Sequence, residues 1–227
     1  MTLALLRPGL LAYDEALRLQ HDLRDRVLSS GGRAAFLVLT EHTPTITLGR
    51  NARAENLLVP ELELAARGCA VRRVDRGGDV TYHGPGQLVG YPIFALRAFG
   101  LALRGYLCAL ERSLLDVLAG FGVAAARRPR TAGLWVGERK IVSIGLRVAR
   151  GVTTHGFAFN VANDLAPFSW IHPCGLRGQE MTSLARETGR PWTLEDVGDR
   201  FHAAFRSRLS FRFCTARVPS PLEGEHS

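Results

Sequence analysis

The order of strand and helix patterns along the chain constrains its fold more than any other feature. Amphipathic helix patterns cover about residues 13–28, 105–118 and 194–209, and a short one follows Pro60. Strand patterns lie between them, at about residues 3–6, 35–39, 45–48, 69–74, 133–136, 140–148 and 153–161. Because the strands come in runs and do not alternate regularly with helices, we predict a single α+β domain.

Length and composition agree with one soluble domain. Of the 227 residues, 46% are hydrophobic and 22% charged, so the chain can bury a core without disulfides or metals. We place the domain at residues 1–217 and expect residues 218–227 to form a disordered tail. The apolar start is broken by Arg7-Pro8-Gly9, and it resembles neither a signal peptide nor a membrane span.

Charge and cysteine usage narrow the setting and the partners. The four cysteines are widely spaced and form no CxxC pair, which argues against a zinc ribbon and favours a reducing cytoplasm. The net charge of +8 suits an acidic partner. The arginines are spread along the chain, and the one tight cluster, at residues 127–130, has no interleaved aromatic residues. We therefore predict an acidic protein partner, without nucleic acid and without a membrane.

Five glycines fall within the 14 residues from Gly77 to Gly90. Glycine lets a ligand or another backbone approach closely. The spacing matches neither a dinucleotide fingerprint nor a phosphate-binding P-loop. One interpretation is a wall for an extended apolar ligand, with Arg76 and His83 marking its polar ends. The alternative is a pair of tight turns between strands, in which His83 is a structural histidine.

The chain has 29 lysines and arginines, and Lys140 is its only lysine. Arginine keeps its proton at any physiological pH, whereas a lysine ammonium can lose it. Position 140 therefore favours an amine that gains and loses a proton, although chance in an arginine-rich composition is the alternative. Strand alternation puts Lys140 on the face opposite Ser143, which argues against a Lys–Ser pair.

Cys174 has the sequence surroundings of a nucleophile. Pro173 and Gly175 fix a turn around it and leave the thiol uncrowded. The other cysteines, in strand, helix and near-terminal patterns, are interpreted as packed small residues: Cys69, Cys108 and Cys214.

Lys140 is the preferred activator of this thiol. A nearby ammonium lowers the pKa of a thiol by about one to three units, and a lysine can also pass protons to and from the reacting groups. We predict a Cys174–Lys140 dyad. A Cys–His dyad is the rival scheme, with three candidate bases: His83, His155 and His172.

Three blocks in register resemble the bacterial lipoyl(octanoyl) transferases of the biotin/lipoate protein ligase superfamily. They span about residues 30–210. The first is RGGDVTYHGPGQLVGYP at 76–92; the second is KIVSIG at 140–145 with THGFAFNV at 154–161; the third is DLAPF at 164–168 with IHPCG at 171–175 and TSL at 182–184.

This resemblance implies the biotin/lipoate protein ligase catalytic fold, a mixed sheet flanked by helices. It implies transfer of an octanoyl group from octanoyl-acyl carrier protein, through a thioester on Cys174, to a specific lysine of lipoyl domains, the first step of endogenous protein lipoylation. The acceptors would be lipoyl domains of 2-oxoacid dehydrogenase E2 subunits and the glycine cleavage H protein. Lys140 would lower the pKa of Cys174 and act as acid and base, and neither a metal nor a cofactor is implied.

The resemblance also implies three segments that bind the acyl chain: Arg76, Gly77, Gly78, Asp79, Val80, Thr81, Tyr82 and His83; Ser143, Ile144 and Gly145; and Gly156, Phe157 and Ala158. Phe159 stands where the family often has a smaller residue, so we expect it to narrow the acyl channel. The backbone N–H of Gly175 and one in the 143–145 strand would hold the oxyanion. The alternatives are an ATP-dependent ligase on the same fold, a basic nucleic-acid-binding protein and a catalytically inactive relative.

Overall fold

The computed structural model describes residues 3–129 and 131–210, apart from the side chains of Cys174 and Ser210. Cys214 and the predicted tail lie outside this part of the chain. Within it, the strands are β1 (Leu3–Leu11), β2 (Ala35–His42), β3 (Thr45–Leu48), β4 (Ala70–Arg73), β5 (Val80–His83), β6 (Gln87–Phe94), β7 (Gly133–Val136), β8 (Arg139–Ala149) and β9 (Val152–Asn160). The helices are α1 (Tyr13–Ser29), α2 (Glu61–Ala66), α3 (Leu103–Gly120), α4 (Leu184–Thr188) and α5 (Leu194–Ser210).

The strands form two sheets. The larger has six strands in the order β1-β2-β6-β9-β8-β7, and the smaller has three in the order β4-β3-β5. In the larger sheet β1 and β2 are parallel and the remaining neighbours are antiparallel. In the smaller sheet β3 is parallel to β4 and antiparallel to β5. The predicted mixed sheet flanked by helices is confirmed.

Helices α3 and α5 cover one face of the large sheet. Leu110 and Leu114 of α3 and Phe201 of α5 pack with Phe157 and Phe159 of β9 in one buried cluster. The rings of Phe157 and Phe201 lie 4.5 Å apart between centroids. This cluster is the main core and fixes the orientation of β9.

Helix α1 covers part of the opposite face. Its residues Ala16, Leu23 and Val27 pack against Val89 of β6 and Ala158 of β9. These helix positions are spaced seven and four residues apart, so they form one apolar stripe. The sheet face between α1 and the small sheet is left for the site described below. Within the described residues, no helix is long and apolar enough to span a bilayer.

The glycine-rich segment is mostly strand. It contains β5 and the first half of β6, and β6 lies between β2 and β9 in the large sheet. Gly90 of β6 is paired with Phe157 of β9, and a Cβ on Gly90 would overlap the Phe157 ring. Glycine at this position therefore lets an aromatic ring lie directly over the backbone of a neighbouring strand.

Gly90→Ala should destabilise the fold, because the added methyl group forces the Phe157 ring out of its packed position. We expect the free energy of unfolding to fall by about 1–3 kcal/mol, measured by urea denaturation. Gly105→Ala is the matched control, since a Cβ there meets Leu101 at 3.4 Å, near the start of α3. That change should be neutral or stabilising by up to about 1 kcal/mol. Equal effects at the two sites would contradict the packing described for Gly90.

Candidate active site

A cleft lies between the large sheet and the loop and strand that begin at Arg76. Its lining comes from α1, the 76–83 segment, β6, β8 and β9: Tyr13, Arg76, Gly78, Asp79, Val80, Thr81, His83, Val89, Tyr91, Ser143, Ile144, Gly145, His155, Gly156, Phe157 and Ala158.

The residues predicted to bind the acyl chain line this cleft, with the exceptions of Gly77 and Tyr82. The Tyr82 ring points away from the cleft, because successive strand residues face opposite sides, and it packs 5.5 Å from the Phe168 ring under the small sheet. Gly77 does not line the cleft either. Its N–H donates to Leu146 O at 2.9 Å and holds the loop before β5 against β8.

The expectation that Phe159 narrows the channel is wrong. Phe159 is fully buried in the core on the α3 and α5 side of the sheet, whereas its neighbour Ala158 lines the cleft on the other side. Alternation along β9 explains the difference.

Sequence reasoning missed four lining residues: Tyr13, Val89, Tyr91 and His155. Tyr13 begins α1, and Val89 and Tyr91 lie on β6, so the fold brings them to the cleft from separate elements. Nothing in the local sequence distinguishes them from ordinary core positions. His155 carried a signal only as a possible partner of Cys174.

Arg76 and His83 do not mark two ends of the cleft, as the sequence suggested, because both contact Thr47. The Arg76 guanidinium donates to Thr47 O at 2.7 Å and to Thr47 Oγ1 at 2.8 Å. Thr47 Oγ1 lies 3.4 Å from His83 Nε2. The two predicted polar residues therefore meet at one place on the cleft wall.

His83 is held as a neutral ring. Its Nδ1 donates to Gln87 Oε1 at 2.9 Å, which leaves Nε2 as the acceptor facing Thr47. Burial lowers the pKa of His83 well below its usual value. With both nitrogens in use, His83 fits the structural interpretation better than the role of a base for Cys174.

The hydrogen bonds continue from Gln87 to the backbone of Lys140. Gln87 Nε2 donates to Asn160 Oδ1 at 2.9 Å, and Asn160 Nδ2 donates to Thr182 O at 3.0 Å. Thr182 N–H then donates to Lys140 O at 2.9 Å. We call this series, from Arg76 through His83 to Lys140, the buried hydrogen-bond chain.

The floor of the cleft is polar but uncharged. His42 Nδ1 donates to Leu11 O at 3.1 Å, and His42 Nε2 accepts from Tyr91 OH at 2.7 Å. Burial lowers the pKa of His42 to about 4 and raises the pKa of Tyr13 to about 12. Both groups are therefore neutral near pH 7, so neither His42 nor Tyr13 adds a charge beneath the cleft.

A β-bulge changes the direction of Lys140. The pairing of β7 with β8 shifts by one residue between Leu134↔Val142 and Trp135↔Lys140, and the consecutive residues Ile141 and Val142 both pack in the main core. The extra residue reverses the alternation. The prediction that Lys140 and Ser143 face opposite sides is wrong, because the bulge turns Lys140 to the side of Ser143.

The Lys140 side chain is buried, with 1% of its surface exposed. Its Nζ lies 4.8 Å from the centroid of the Trp135 ring, within the range of a cation–π contact. A Cβ on Gly133 would lie 2.7 Å from Lys140 Cε and 3.3 Å from Nζ, so glycine makes room for the amine. Because Gly133 is paired with Ser143, the amine lies at the level of Ser143, next to the cleft lining.

The backbone around Cys174 connects the cleft wall with Lys140. Cys174 lies in a short 3-10 turn, Pro173–Gly175. A Cβ on Gly175 would lie 2.7 Å from Asp79 Oδ2, so the turn packs against a residue that lines the cleft. Farther on, Glu180 O accepts from Lys140 N–H at 2.9 Å. The Cys174 side chain lies outside the described part, and the Cys174–Lys140 dyad therefore stays a prediction.

The expected oxyanion donor at Gly175 is already engaged, since its N–H donates to His172 O at 2.9 Å. His155, another alternative base, bonds through Nε2 to Asp75 Oδ1 at 2.7 Å. Lys140 is tied through its backbone to the loop that follows Cys174, and His172, the third alternative base, immediately precedes the Pro173–Gly175 turn.

Comparison with known proteins decides the family. Residues 12–206 match the model of the lipoyl protein ligase A/B catalytic domain. The chain belongs to this family. It is 46% identical over 203 residues to an octanoyltransferase of Solibacter usitatus, covering 89% of this chain and 91% of that protein. It is also 46% identical over 214 residues to an octanoyltransferase of Chloroflexus aggregans, covering 93% and 96%. The resemblance to the octanoyltransferases is confirmed.

Solved structures confirm the fold. A lipoate-protein ligase A bound with ATP superposes with a TM-score of 0.75 at 17% identity, covering 92% of this chain and 86% of the ligase. A biotin protein ligase from Aquifex aeolicus superposes with a TM-score of 0.54 at 13% identity, covering 92% and 70%. These low identities establish the shared architecture alone.

Asn160→Asp tests the buried hydrogen-bond chain. The change replaces the donor that faces Thr182 O by a carboxylate oxygen, so two acceptors face each other. A buried charge whose one remaining donor in this chain is Gln87 Nε2 is strongly disfavoured. The pKa of the new carboxyl group is raised in the folded state, so its protonated form is tolerated at low pH. From about pH 4 up to the raised pKa of the folded state, the variant should lose about 1.4 kcal/mol of unfolding free energy per pH unit relative to the parent protein, and above that pKa the loss should stay constant.

Denaturation with urea at several pH values measures this loss. Asn51→Asp is the matched control, because Asn51 is exposed, and its difference from the parent should change little with pH. A flat difference for Asn160→Asp would contradict the position given to this side chain.

Proposed function

We propose that this protein transfers an octanoyl group from octanoyl-acyl carrier protein to a specific lysine of lipoyl domains, through a thioester on Cys174. One observation carries the proposal: the segment that holds Cys174 packs against the cleft wall at Asp79 and is hydrogen-bonded at Glu180 to the strand of Lys140. The names of the relatives, octanoyltransferase, support the reaction class. The proposed acceptors are the E2 lipoyl domains and the glycine cleavage H protein, and the proposed setting is the cytoplasm.

In the first half-reaction Lys140 holds the proton of the Cys174 thiol, and the resulting ammonium stabilises the thiolate. The thiolate sulfur attacks the carbonyl carbon of the octanoyl thioester. The bond to the carrier sulfur breaks, and the departing carrier thiolate takes the proton from Lys140. The products are an octanoyl thioester on Cys174, a free carrier thiol and a neutral Lys140 amine.

In the second half-reaction the acceptor lysine, as a neutral amine, attacks the same carbonyl carbon. Lys140 accepts the proton that this nitrogen loses, and the amide forms as the Cys174 thiolate leaves. The cycle ends with the ammonium–thiolate pair with which it began. Arginine cannot fill this role, because it does not give up its proton, and this explains the single lysine of the chain.

The cleft supplies the binding site for the acyl chain. Val89 and Ala158, which pack together on the α1 side of the large sheet, give it apolar surface beside the Cys174 segment, so a medium-length hydrocarbon chain is removed from water as it binds. The net charge of +8 suits an acidic carrier protein.

The acyl-enzyme can be trapped directly. Incubation with octanoyl-acyl carrier protein, without ATP, should give an octanoyl adduct on the peptide that contains Cys174. The adduct should disappear on treatment with hydroxylamine, which cleaves thioesters, and mass spectrometry of the digested protein locates it. Addition of a lipoyl domain should move the octanoyl group to that domain.

Two variants control this experiment. Cys174→Ser should leave no hydroxylamine-labile adduct, while Cys69→Ser, at a buried cysteine of the small-sheet cluster, should keep it. An adduct that persists in Cys174→Ser would contradict the proposal. So would transfer that requires ATP, which would favour a ligase.

A further inference from the structure

His155 adopts an unusual backbone conformation at the cleft. Its φ is 55° although it is not a glycine, a region that side chains rarely occupy within a strand. Its N–H donates to Gln20 Oε1 at 2.8 Å, and only 2% of the residue is exposed. Such a conformation persists only where the surroundings hold it, and it is concentrated at functional sites.

The two ring nitrogens of His155 have different surroundings. Nε2 lies 2.7 Å from Asp75 Oδ1, and the same carboxylate forms an ion pair with Arg147 at 2.5 Å. Because a carboxylate only accepts, Nε2 carries the hydrogen. Burial lowers the pKa of His155, so the ring is neutral near pH 7. Nδ1 is then an acceptor, and it is buried without a hydrogen-bond partner among the described residues.

The pairing of β8 with β9 places His155 at a defined distance from the reacting end. Ser143 is paired with Ala158, and Leu146 is paired with His155, so the two levels are separated by about 10 Å. The Lys140 amine lies at the Ser143 level, beside Gly133. An extended eight-carbon chain spans roughly 9 Å at ordinary bond lengths and angles. Its far carbon therefore reaches the level of His155.

We propose that the His155 end of the cleft is a hydrogen-bonding subsite for a hydroxyl group on the far carbon of the acyl chain, so that ω-hydroxy medium-chain acyl groups are substrates. This inference rests on the proposed function. A terminal methyl group at this level leaves the buried acceptor unpaired, which is unfavourable. A terminal hydroxyl group donates to Nδ1 and satisfies it. Asp75 contributes by fixing the tautomer that leaves Nδ1 free of hydrogen.

A matched pair of variants separates the acceptor from the shape of the side chain. In His155→Asn an amide oxygen can occupy the position of Nδ1, and asparagine tolerates a positive φ. In His155→Leu a methyl group of similar size occupies that position without an acceptor. The assay mixes octanoyl- and 8-hydroxyoctanoyl-acyl carrier protein in equal amounts and measures the ratio of the two products on a lipoyl domain by mass spectrometry.

The parent protein should give a ratio of hydroxyoctanoyl to octanoyl product about tenfold or more above that of His155→Leu, in keeping with the loss of one buried hydrogen bond. His155→Asn should lie near the parent. The ratio is internal to each reaction, so a general loss of folding or activity does not move it. Equal ratios in all three proteins would overturn the inference while octanoyl transfer itself still supports the proposed function.

Binding of the free acids gives a measurement that does not depend on turnover. Calorimetry should show that 8-hydroxyoctanoic acid binds the parent more tightly, relative to octanoic acid, than it binds His155→Leu, by a similar factor. If neither acyl group is transferred but this factor is present, the proposed function fails and the subsite stands. If the factor is absent, the subsite is refuted.

Discussion

The β-bulge in β8 is the feature on which the arrangement of the site depends. With regular alternation, the chain's single lysine would face away from Ser143. The extra residue lets Ile141 and Val142 both pack in the core and turns the preceding side chain, Lys140, to the side of Ser143. Gly133 leaves space for the amine, and the Trp135 ring contacts it. A buried amine is thus held next to the site by backbone geometry and packing.

The buried hydrogen-bond chain explains how distant segments keep their positions. It runs from the 76–83 wall across β6 and β9 to the backbone of Lys140. His83 is neutral, since burial lowers its pKa, and each amide in the chain donates in one direction and accepts from the other. A fully satisfied network of this kind fixes one arrangement, because breaking any member leaves a buried polar group unpaired.

Much of the fold could be predicted from local patterns. The helix predicted at residues 13–28 corresponds to Tyr13–Ser29, and the strand predicted at residues 45–48 corresponds to Thr45–Leu48, because their apolar periodicity is strong. Most residues of the cleft walls could be predicted from the glycine-rich segment and from the three sequence blocks that resemble the family. The rest depends on tertiary structure: the bulge reverses an alternation that a local pattern extends unchanged, and Tyr13 and Tyr91 reach the cleft through the packing of α1 and β6 on β9.

Lys140 has two proposed tasks, stabilising a thiolate and moving protons, and Lys140→Arg separates them. The most direct measurement forms the octanoyl thioester on the variant, adds a lipoyl domain and follows loss of the thioester in a single turnover. Arginine keeps the positive charge that stabilises the Cys174 thiolate, and the departing carrier thiolate can take its proton from water, so the thioester should still form. Its transfer to the lysine amine should slow by about 10²–10⁴-fold, the usual contribution of a general acid–base group. Transfer at the rate of the parent protein would contradict a proton-transferring Lys140.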